Sequence, residues 1–258
     1  MNNIKVLGAY GTKAKGFETS AFYLDEKNVI DAGNLLRPLG EESVKIENIW
    51  LTHSHLDHIS DIAYILDNYF SLRKKSLNII GLPQTIDAIK KCFLNDYIWP
   101  DFSAIKMLNS QEMSVNYIEL ELGKEYIVDN SSSIEAFETD HTVASCGYIY
   151  TKNQTSILIT ADTYSLDNVI ELVESRKNIK SMVIECSFAS DMSKLAKESK
   201  HLTPKILFKE LKKLKRDDVK LYINHIKPFY LKEIIDEIEE YRGLWRPEIL
   251  KDEEIATF

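Results

Sequence analysis

Four potential metal ligands lie within six residues, in the stretch His53-Ser54-His55-Leu56-Asp57-His58. The stretch directly follows the apolar run 46–52, and helical spacing of apolar residues begins near Leu56. It is therefore predicted to lie on a turn between a strand and a helix. So dense a run cannot close on a single tetrahedral ion without severe contortion of the backbone. It can serve two neighbouring ions, with His53 and His55 at one and Asp57 and His58 at the other. Paired ions of this kind hydrolyse phosphate esters and related bonds.

Three residues that follow strand-like segments could complete such a centre, because active sites in layered α/β folds are built from loops at strand ends. His141 follows 134–139, Asp162 follows 157–161 and His225 follows 221–224. Each is weak alone, and Asp162 could instead cap a helix that begins near residue 166. Two ions with four or five ligands each need roughly seven protein groups plus shared oxygens. The candidate ligands are His53, His55, Asp57, His58, His141, Asp162 and His225.

Strand-like segments dominate both halves of the chain, and the pattern runs twice from β-rich to alternating β/α. This repetition predicts an α/β protein with two sheets packed face to face and helices outside, a four-layer αββα sandwich. No linker rich in Pro, Gly or Ser divides the 258 residues. One domain spanning residues 1–258 is therefore expected.

The charge balance restricts the partners. The formal net charge is −8 and the pI is about 5.4, so the surface repels long nucleic acids. A small anionic substrate stays possible, because bound metal ions supply local positive charge. Three widely spaced cysteines without a CxxC motif make a disulfide framework unexpected and favour a cytoplasmic location. Neither a signal-peptide pattern nor an apolar run of ~18 residues is found, so no membrane association is expected.

The order of HxHxDH, a lone His, a strand-end Asp and a late His resembles the metallo-β-lactamase superfamily of metallohydrolases, over about residues 7–229. Asp31 in Asp31-Ala32-Gly33 resembles the aspartate that orients a metal-bound His in that superfamily. Narrower matches resemble the class II cyclic-nucleotide phosphodiesterases. They are Glu185-Cys186-Ser187-Phe188, His201-Leu202-Thr203-Pro204, Asn224-His225-Ile226-Lys227-Pro228 and residues 55–59.

The resemblance implies how these residues would act. His53, His55 and His141 would hold one ion, and Asp57, His58 and His225 the other, with Asp162 bridging them. Zinc is the first expectation for both ions, and manganese or iron would also fit. A metal-bridging hydroxide would open a 3′,5′-cyclic nucleotide, cAMP or cGMP, to its 5′-monophosphate. The candidate catalytic residues are Asp57, Glu185 and His201, with His201 donating a proton to the leaving oxygen and Glu185 orienting it.

Other functions remain open at this point. Ribonuclease Z-like processing of transfer RNA shares the Glu–His pair, but it needs a basic contact surface that this acidic chain lacks. Another phosphoester, a sulfate ester or a lactone could be the substrate of the same fold. Di-iron oxygen-binding members usually replace the second motif His by Glu, whereas this chain keeps His55. A binding module with purely structural metals is a further alternative. Dimers are common among the relatives, so a homodimer is expected.

Overall fold

The computed structural model describes residues 1–108 and 110–258. Two seven-stranded sheets form its centre. The first has the order β14-β1-β2-β3-β4-β5-β6, and the second has the order β13-β12-β11-β10-β9-β8-β7. The strands of the first sheet are β1 (Asn3–Gly8), β2 (Ala21–Tyr23), β3 (Asn28–Ile30), β4 (Asn48–Trp50), β5 (Leu77–Gly81), β6 (Val115–Glu119) and β14 (Ile255–Thr257). Those of the second are β7 (Glu125–Ile127), β8 (Ser132–Glu138), β9 (Cys146–Lys152), β10 (Thr155–Ile159), β11 (Ile179–Glu185), β12 (Lys220–Asn224) and β13 (Glu248–Ile249).

The helices lie between the strands along the chain. They are α1 (Leu36–Leu39), α2 (Leu56–Asn68), α3 (Pro83–Cys92), α4 (Asp167–Ser175), α5 (Ser193–Glu198), α6 (Pro204–Leu211) and α7 (Leu231–Tyr241). Short 3₁₀ helices cover Gly40–Lys45, Phe70–Leu72, Ser190–Met192 and Pro228–Tyr230. Across residues 1–108 and 110–258, none of the helices combines the length and the apolar character needed to span a membrane.

Each sheet joins an antiparallel part to a parallel part. In the first sheet β14, β1, β2 and β3 pair antiparallel, and β3 to β6 pair parallel. In the second, β7 to β10 pair antiparallel and β10 to β13 pair parallel. This is the twofold passage from β-rich to alternating β/α that the sequence pattern indicates.

Alternating side chains on the short parallel strands divide the first sheet into two faces. On β4, Ile49 packs in one apolar cluster with Ile62 of α2 and Ile86 of α3. The next residue, Trp50, packs in a second cluster that includes Tyr148 of the other sheet. The same second cluster contains the apolar faces of α4, α6 and α7 on the far side of the second sheet. Helices therefore cover both outer faces, and the predicted αββα sandwich is confirmed.

The parallel strands bring the candidate site residues to one edge. β4 leads to residues 53–58, β10 to Asp162, β11 to Glu185 and β12 to His225. Because the carboxyl ends of parallel strands meet at the same edge of a sheet, loops of both sheets converge there. His141, after the antiparallel strand β8, reaches the same place.

Candidate metal centre

The ligand-rich stretch lies on the predicted turn between a strand and a helix. β4 ends at Trp50 and α2 begins at Leu56. His55 is the N-cap residue of α2 with an extended backbone, while Asp57 and His58 lie in the first turn of the helix. The change of backbone direction at His55 separates the two halves of the motif, so that they point into two different clusters.

The first cluster joins His53, His55 and His141. His55 Nδ1 lies 3.0 Å from His53 Nε2 and 3.1 Å from His141 Nε2. These atoms and a carboxylate oxygen of Asp162 all lie within 4.8 Å of one another. His53 and His141 are buried, and His55 is partly exposed.

The second cluster joins Asp57, His58 and His225. His58 Nε2 lies 3.2 Å from His225 Nε2, and Asp57 Oδ2 lies 3.4 Å from His225 Nε2 and 3.8 Å from His58 Nε2. His58 lies in α2, which follows β4 of the first sheet, whereas His225 follows β12 of the second sheet, 167 positions further along the chain. Packing of the two sheets is therefore what assembles this cluster.

Asp162 lies between the clusters and turns one oxygen to each. Oδ2 lies 3.6 Å from His53 Nε2 and 3.7 Å from His141 Nε2. Oδ1 lies 3.6 Å from His58 Nε2 and 3.1 Å from His225 Nε2. The alternative role as a helix cap is not realised, because Leu166 is the N-cap residue of α4.

The donor set fits divalent metal ions. Ring nitrogens face one another at 3.0 to 3.2 Å in both clusters, close enough for two rings to share one metal ion or one proton. Asp162 Oδ1 is buried and accepts no hydrogen bond from the residues that the structure describes, an unusual state for a buried carboxylate oxygen. Imidazole nitrogens and carboxylate oxygens are suitable ligands for Zn²⁺, Mn²⁺ and Fe²⁺. The clusters are therefore consistent with a dinuclear metal site.

Hydrogen bonds at the far ring nitrogens orient the imidazoles. Asp31 Oδ2 lies 2.7 Å from His58 Nδ1, as the sequence resemblance predicts. The Lys200 carbonyl lies 3.2 Å from His141 Nδ1. Each partner is an acceptor, so each Nδ1 carries the proton and each Nε2 is left free to bind a metal ion.

A histidine–carboxylate pair borders both clusters. His201 Nδ1 lies 2.8 Å from Glu185 Oε1, and His201 Nε2 lies 4.0 Å from Asp162 Oδ2. Glu185 is fully buried, and its Oε1 also accepts a hydrogen bond from the Thr163 N–H at 3.0 Å. Nδ1 of His201 is thus occupied by Glu185, and Nε2 faces the site.

Burial and charge divide the histidines into two groups. Burial lowers the pKa of His53 and of His55, and lowers that of His141 to about 4, so these rings are neutral. Burial also opposes the charged form of His58, but the carboxylates of Asp31 and Asp162 outweigh it and raise its pKa. In His201, Glu185 likewise outweighs burial and raises the pKa.

The carboxylates at the centre are held in their charged form. Burial would raise the pKa of Asp57 and of Asp162, but the histidines beside them lower both pKa values below the ordinary range. Charged carboxylates are the form that binds a metal ion. Because the raised pKa of His58 favours its protonated form, metal binding there competes with the proton on this ring.

Sequence reasoning missed residues that hold His225 in place. His225 has a left-handed backbone with φ of 60°, and its N–H donates to the Ala9 carbonyl at 2.6 Å. At Gly11 an added Cβ would lie 2.6 Å from His225 Nδ1 and 2.6 Å from its carbonyl oxygen. The loop after β1 therefore packs directly against a candidate ligand, and only glycine fits at position 11. Three glycines irregularly spaced between residues 8 and 16 give no sequence signal for this contact.

Comparison with known proteins gives one family match and several relatives. The model of the class-II cAMP phosphodiesterase family matches residues 10–240. A Saccharomyces cerevisiae 3′,5′-cyclic-nucleotide phosphodiesterase 1 is 35% identical over 91 residues, which are 32% of this chain and 25% of that protein. The Arabidopsis thaliana tRNase Z TRZ1 is 22% identical over 142 residues, 54% of this chain and 45% of that protein. The chain thus matches less than half the length of both relatives.

Solved structures share the whole fold. Unliganded yeast PDE1 has a TM-score of 0.83 at 20% identity, with 100% of both chains covered. The metallo-beta-lactamase fold protein YhfI from Bacillus subtilis has a TM-score of 0.75 at 20% identity, with 98% of both chains covered. The αββα sandwich of this chain is accordingly the metallo-β-lactamase fold.

Proposed function

Because the chain belongs to the class-II cAMP phosphodiesterase family, we propose that it is a metal-dependent hydrolase that opens 3′,5′-cyclic nucleotides, cAMP or cGMP, to 5′-monophosphates. The membership confirms the family resemblance carried by the sequence motifs. The observation that supports the reaction is the placement of the His201–Glu185 pair beside two His/Asp clusters that share Asp162. In this arrangement His201 could donate a proton to a phosphate ester bound at the two clusters.

We assign seven side chains to two metal ions, zinc in the first instance, with manganese or iron as alternatives that the same ligands accept. His53, His55 and His141 would hold one ion and Asp57, His58 and His225 the other, with one oxygen of Asp162 toward each. When bound, the ions supply positive charge that makes a water molecule acidic and neutralises the phosphoryl oxygens.

We assign to His201 the role of donating a proton to the leaving 3′ oxygen. Its Nδ1 is bound to Glu185 and its Nε2 faces Asp162 at 4.0 Å. Since Glu185 raises its pKa, the protonated form of the ring is favoured, and its Nε2–H faces the site as a proton donor. Glu185 thus acts through His201, by holding the ring in place and stabilising its charged form.

Asp57 is assigned a second role besides metal binding. Its side chain is 27% exposed, against 2% for Asp162. A carboxylate in contact with both the cluster and solvent can accept the proton that the attacking water loses and pass it to bulk water. Asp162 is buried between the two clusters and lacks that exit.

The direct test is incubation of the metal-loaded protein with 3′,5′-cAMP, with 5′-AMP followed by chromatography. We expect 5′-AMP from the native protein and none from Asp162→Ala, which lacks the residue shared by the two clusters. Metal content and circular dichroism of both proteins must be measured in parallel. A native protein that is folded, holds two ions and leaves both cAMP and cGMP intact would contradict the proposed substrate class.

A ribonuclease Z-like activity is tested in the same experiment with a precursor transfer RNA. The net charge of −8 argues against an RNA-binding surface. Cleavage of the precursor without turnover of cyclic nucleotides would move the assignment to RNA processing. Turnover of neither, with two ions bound, would favour another phosphoester or sulfate ester.

We further propose that residues 1–258 act as one metallo-β-lactamase-like domain, because segments that follow strands of both sheets contribute candidate ligands to the centre.

We also propose that the chain forms a homodimer, because the apolar side chains of Tyr64 and of the loop residues Tyr97 and Ile98 are exposed. Light scattering would give the oligomeric state directly. Three unpaired cysteines, two of them buried, agree with the cytoplasmic location that we propose.

A further inference from the structure

The hydroxyl of Ser187 lies between the Glu185–His201 pair and His225. Ser187 Oγ is 2.8 Å from Glu185 Oε2, 3.0 Å from His225 Nδ1 and 3.2 Å from His201 Nδ1. It also lies 3.1 Å from the His225 carbonyl. The side chain is fully buried. One hydroxyl is thus in contact with the proposed proton donor, its orienting carboxylate and a proposed metal ligand.

The number of available protons determines which atom is the donor and which is the acceptor in each of these contacts. A serine hydroxyl has one proton to donate, and a carboxylate only accepts. Glu185 Oε2 is the nearest acceptor, so the hydroxyl proton points there. His201 Nδ1 directs its own proton to Glu185 Oε1 at 2.8 Å. His225 Nδ1 is then the donor to Ser187 Oγ.

This assignment has a consequence for the other nitrogen of the ring. With the proton at Nδ1, His225 Nε2 carries a free lone pair. That atom lies 3.1 Å from Asp162 Oδ1 and 3.4 Å from Asp57 Oδ2, inside the second cluster. The opposite tautomer would put a proton where a metal ion has to bind.

A second hydroxyl makes the same connection in the first cluster. Thr52 Oγ1 lies 2.9 Å from Asp31 Oδ2 and 3.0 Å from His53 Nδ1. Thr52 is fully buried and follows β4, just as Ser187 follows β11. Each sheet therefore supplies one chain of carboxylate, hydroxyl and imidazole, and each chain ends on one of the two clusters.

We propose that Ser187 is a positioning residue that sets the tautomer of His225 and thereby joins the second metal cluster to the Glu185–His201 pair. Glu185 then serves two histidines, His201 directly and His225 through the serine hydroxyl. The inference rests on the metal-binding part of the proposed function and is independent of which substrate is hydrolysed.

The mutational test compares two buried serines of the same region. Ser187→Ala removes the hydroxyl beside His225. Ser181→Ala is the matched control, because Ser181 lies in β11, is buried and donates to the Thr257 carbonyl at 2.7 Å, away from the centre. Zinc affinity is measured by competition with a chromogenic chelator, without nucleotide. We expect Ser187→Ala to weaken one of two zinc equivalents about 10- to 100-fold, and Ser181→Ala to leave both unchanged.

A second measurement uses the native protein, so it tests the tautomer of His225 even if Ser187→Ala does not fold. All six histidines of the chain belong to this site, so ¹⁵N NMR of the zinc-loaded protein reports on these rings alone. We expect His225 to carry its proton at Nδ1 and zinc at Nε2. Zinc at Nδ1 of His225, or two unchanged zinc affinities in a folded Ser187→Ala protein, would overturn the proposal. Absence of cyclic-nucleotide turnover would leave it intact, since zinc binding is measured without substrate.

Discussion

Asp31 Oδ2 lies 2.7 Å from His58 Nδ1, and both side chains are fully buried. The contact crosses from the end of β3 to the first turn of α2. Thr52 donates to the same carboxylate through both its N–H and its hydroxyl, at 2.9 to 3.0 Å. One buried carboxylate therefore supports residues of both clusters, His58 directly and His53 through Thr52.

Replacing this carboxylate should weaken metal binding. In Asp31→Asn the amide keeps the shape of the side chain, but it loses the charge that favours an Nδ1 proton on His58. Removing a hydrogen-bond partner of a metal-binding histidine typically costs 10- to 100-fold in metal affinity. We expect a loss of about that size for at least one ion, measured by chelator competition. Equal affinities in Asp31→Asn and the native protein would show that Asp31 does not orient His58.

The proposed proton donor can be tested through the leaving group. His201→Gln should lower kcat for a cyclic nucleotide about 10²- to 10⁴-fold, the range of general acid catalysis. An ester whose leaving group is p-nitrophenolate needs no proton, so its hydrolysis should fall much less. Metal content should not change. An equal loss for both substrates would assign His201 to binding or metal retention instead.

Asp61 should make a large contribution to stability. Its Oδ2 accepts hydrogen bonds from the backbone N–H groups of Leu35 and Leu36 at 2.6 and 2.7 Å, and the side chain is buried. In Asp61→Ala both donors lose their partner inside the protein, which should lower the free energy of unfolding by about 2–4 kcal/mol. Asp67→Ala, at an exposed position of the same helix, is the control and should have little effect. Urea unfolding of both variants provides the comparison.

Asp252 should influence metal binding through its hydrogen bonds to the loop after β1. Its two oxygens accept from the N–H groups of Ala9 at 2.9 Å and Glu18 at 3.0 Å, and the Ala9 carbonyl in turn accepts from His225 N–H. Asp252→Ala should therefore weaken the zinc equivalent that involves His225, while Asp252→Asn keeps one acceptor and should retain more affinity. If the two variants bind zinc as the native protein does, the loop after β1 is held by other contacts.

One surface pair gives a pH dependence with a defined sign. The hydrogen bond from Arg216 lowers the pKa of Asp218 to about 2, below the ~3.9 of an unfolded aspartate. A depressed carboxyl pKa stabilises the folded state above the unfolded value, and this stabilisation is lost as the pH falls from about 4 to 2. The stability difference between the native protein and Asp218→Asn should therefore be present at pH 6 and shrink toward pH 2. A difference that is constant over this range would contradict the pairing.

The local pattern of the sequence predicts much of the architecture. Apolar spacing places a strand before residue 53 and a helix from Leu56, and the structure has β4 ending at Trp50 and α2 beginning at Leu56. Strand ends precede Asp162 and His225 as predicted. Element boundaries are less accurate, since the apolar run 46–52 extends beyond β4 at both ends, and the strand covers only Asn48–Trp50. Hydrophobic periodicity and composition determine whether a segment forms a helix or a strand, whereas packing against neighbouring elements determines where it ends.

The sequence by itself determined which residue types could form the centre and that they lie at strand ends, because these depend on local periodicity and on the chemistry of each side chain. Only the tertiary structure decided which atoms meet. The fold turns one oxygen of Asp162 to each cluster and directs Nδ1 of His55 toward His53. It also brings Ser187 and Gly11 into contact with the imidazole ring of His225. These contacts join residues up to more than two hundred positions apart, and their geometry follows from how two sheets pack. The spacing of residues along the chain predicts neither the direction of a hydroxyl proton nor a position so crowded that only glycine fits.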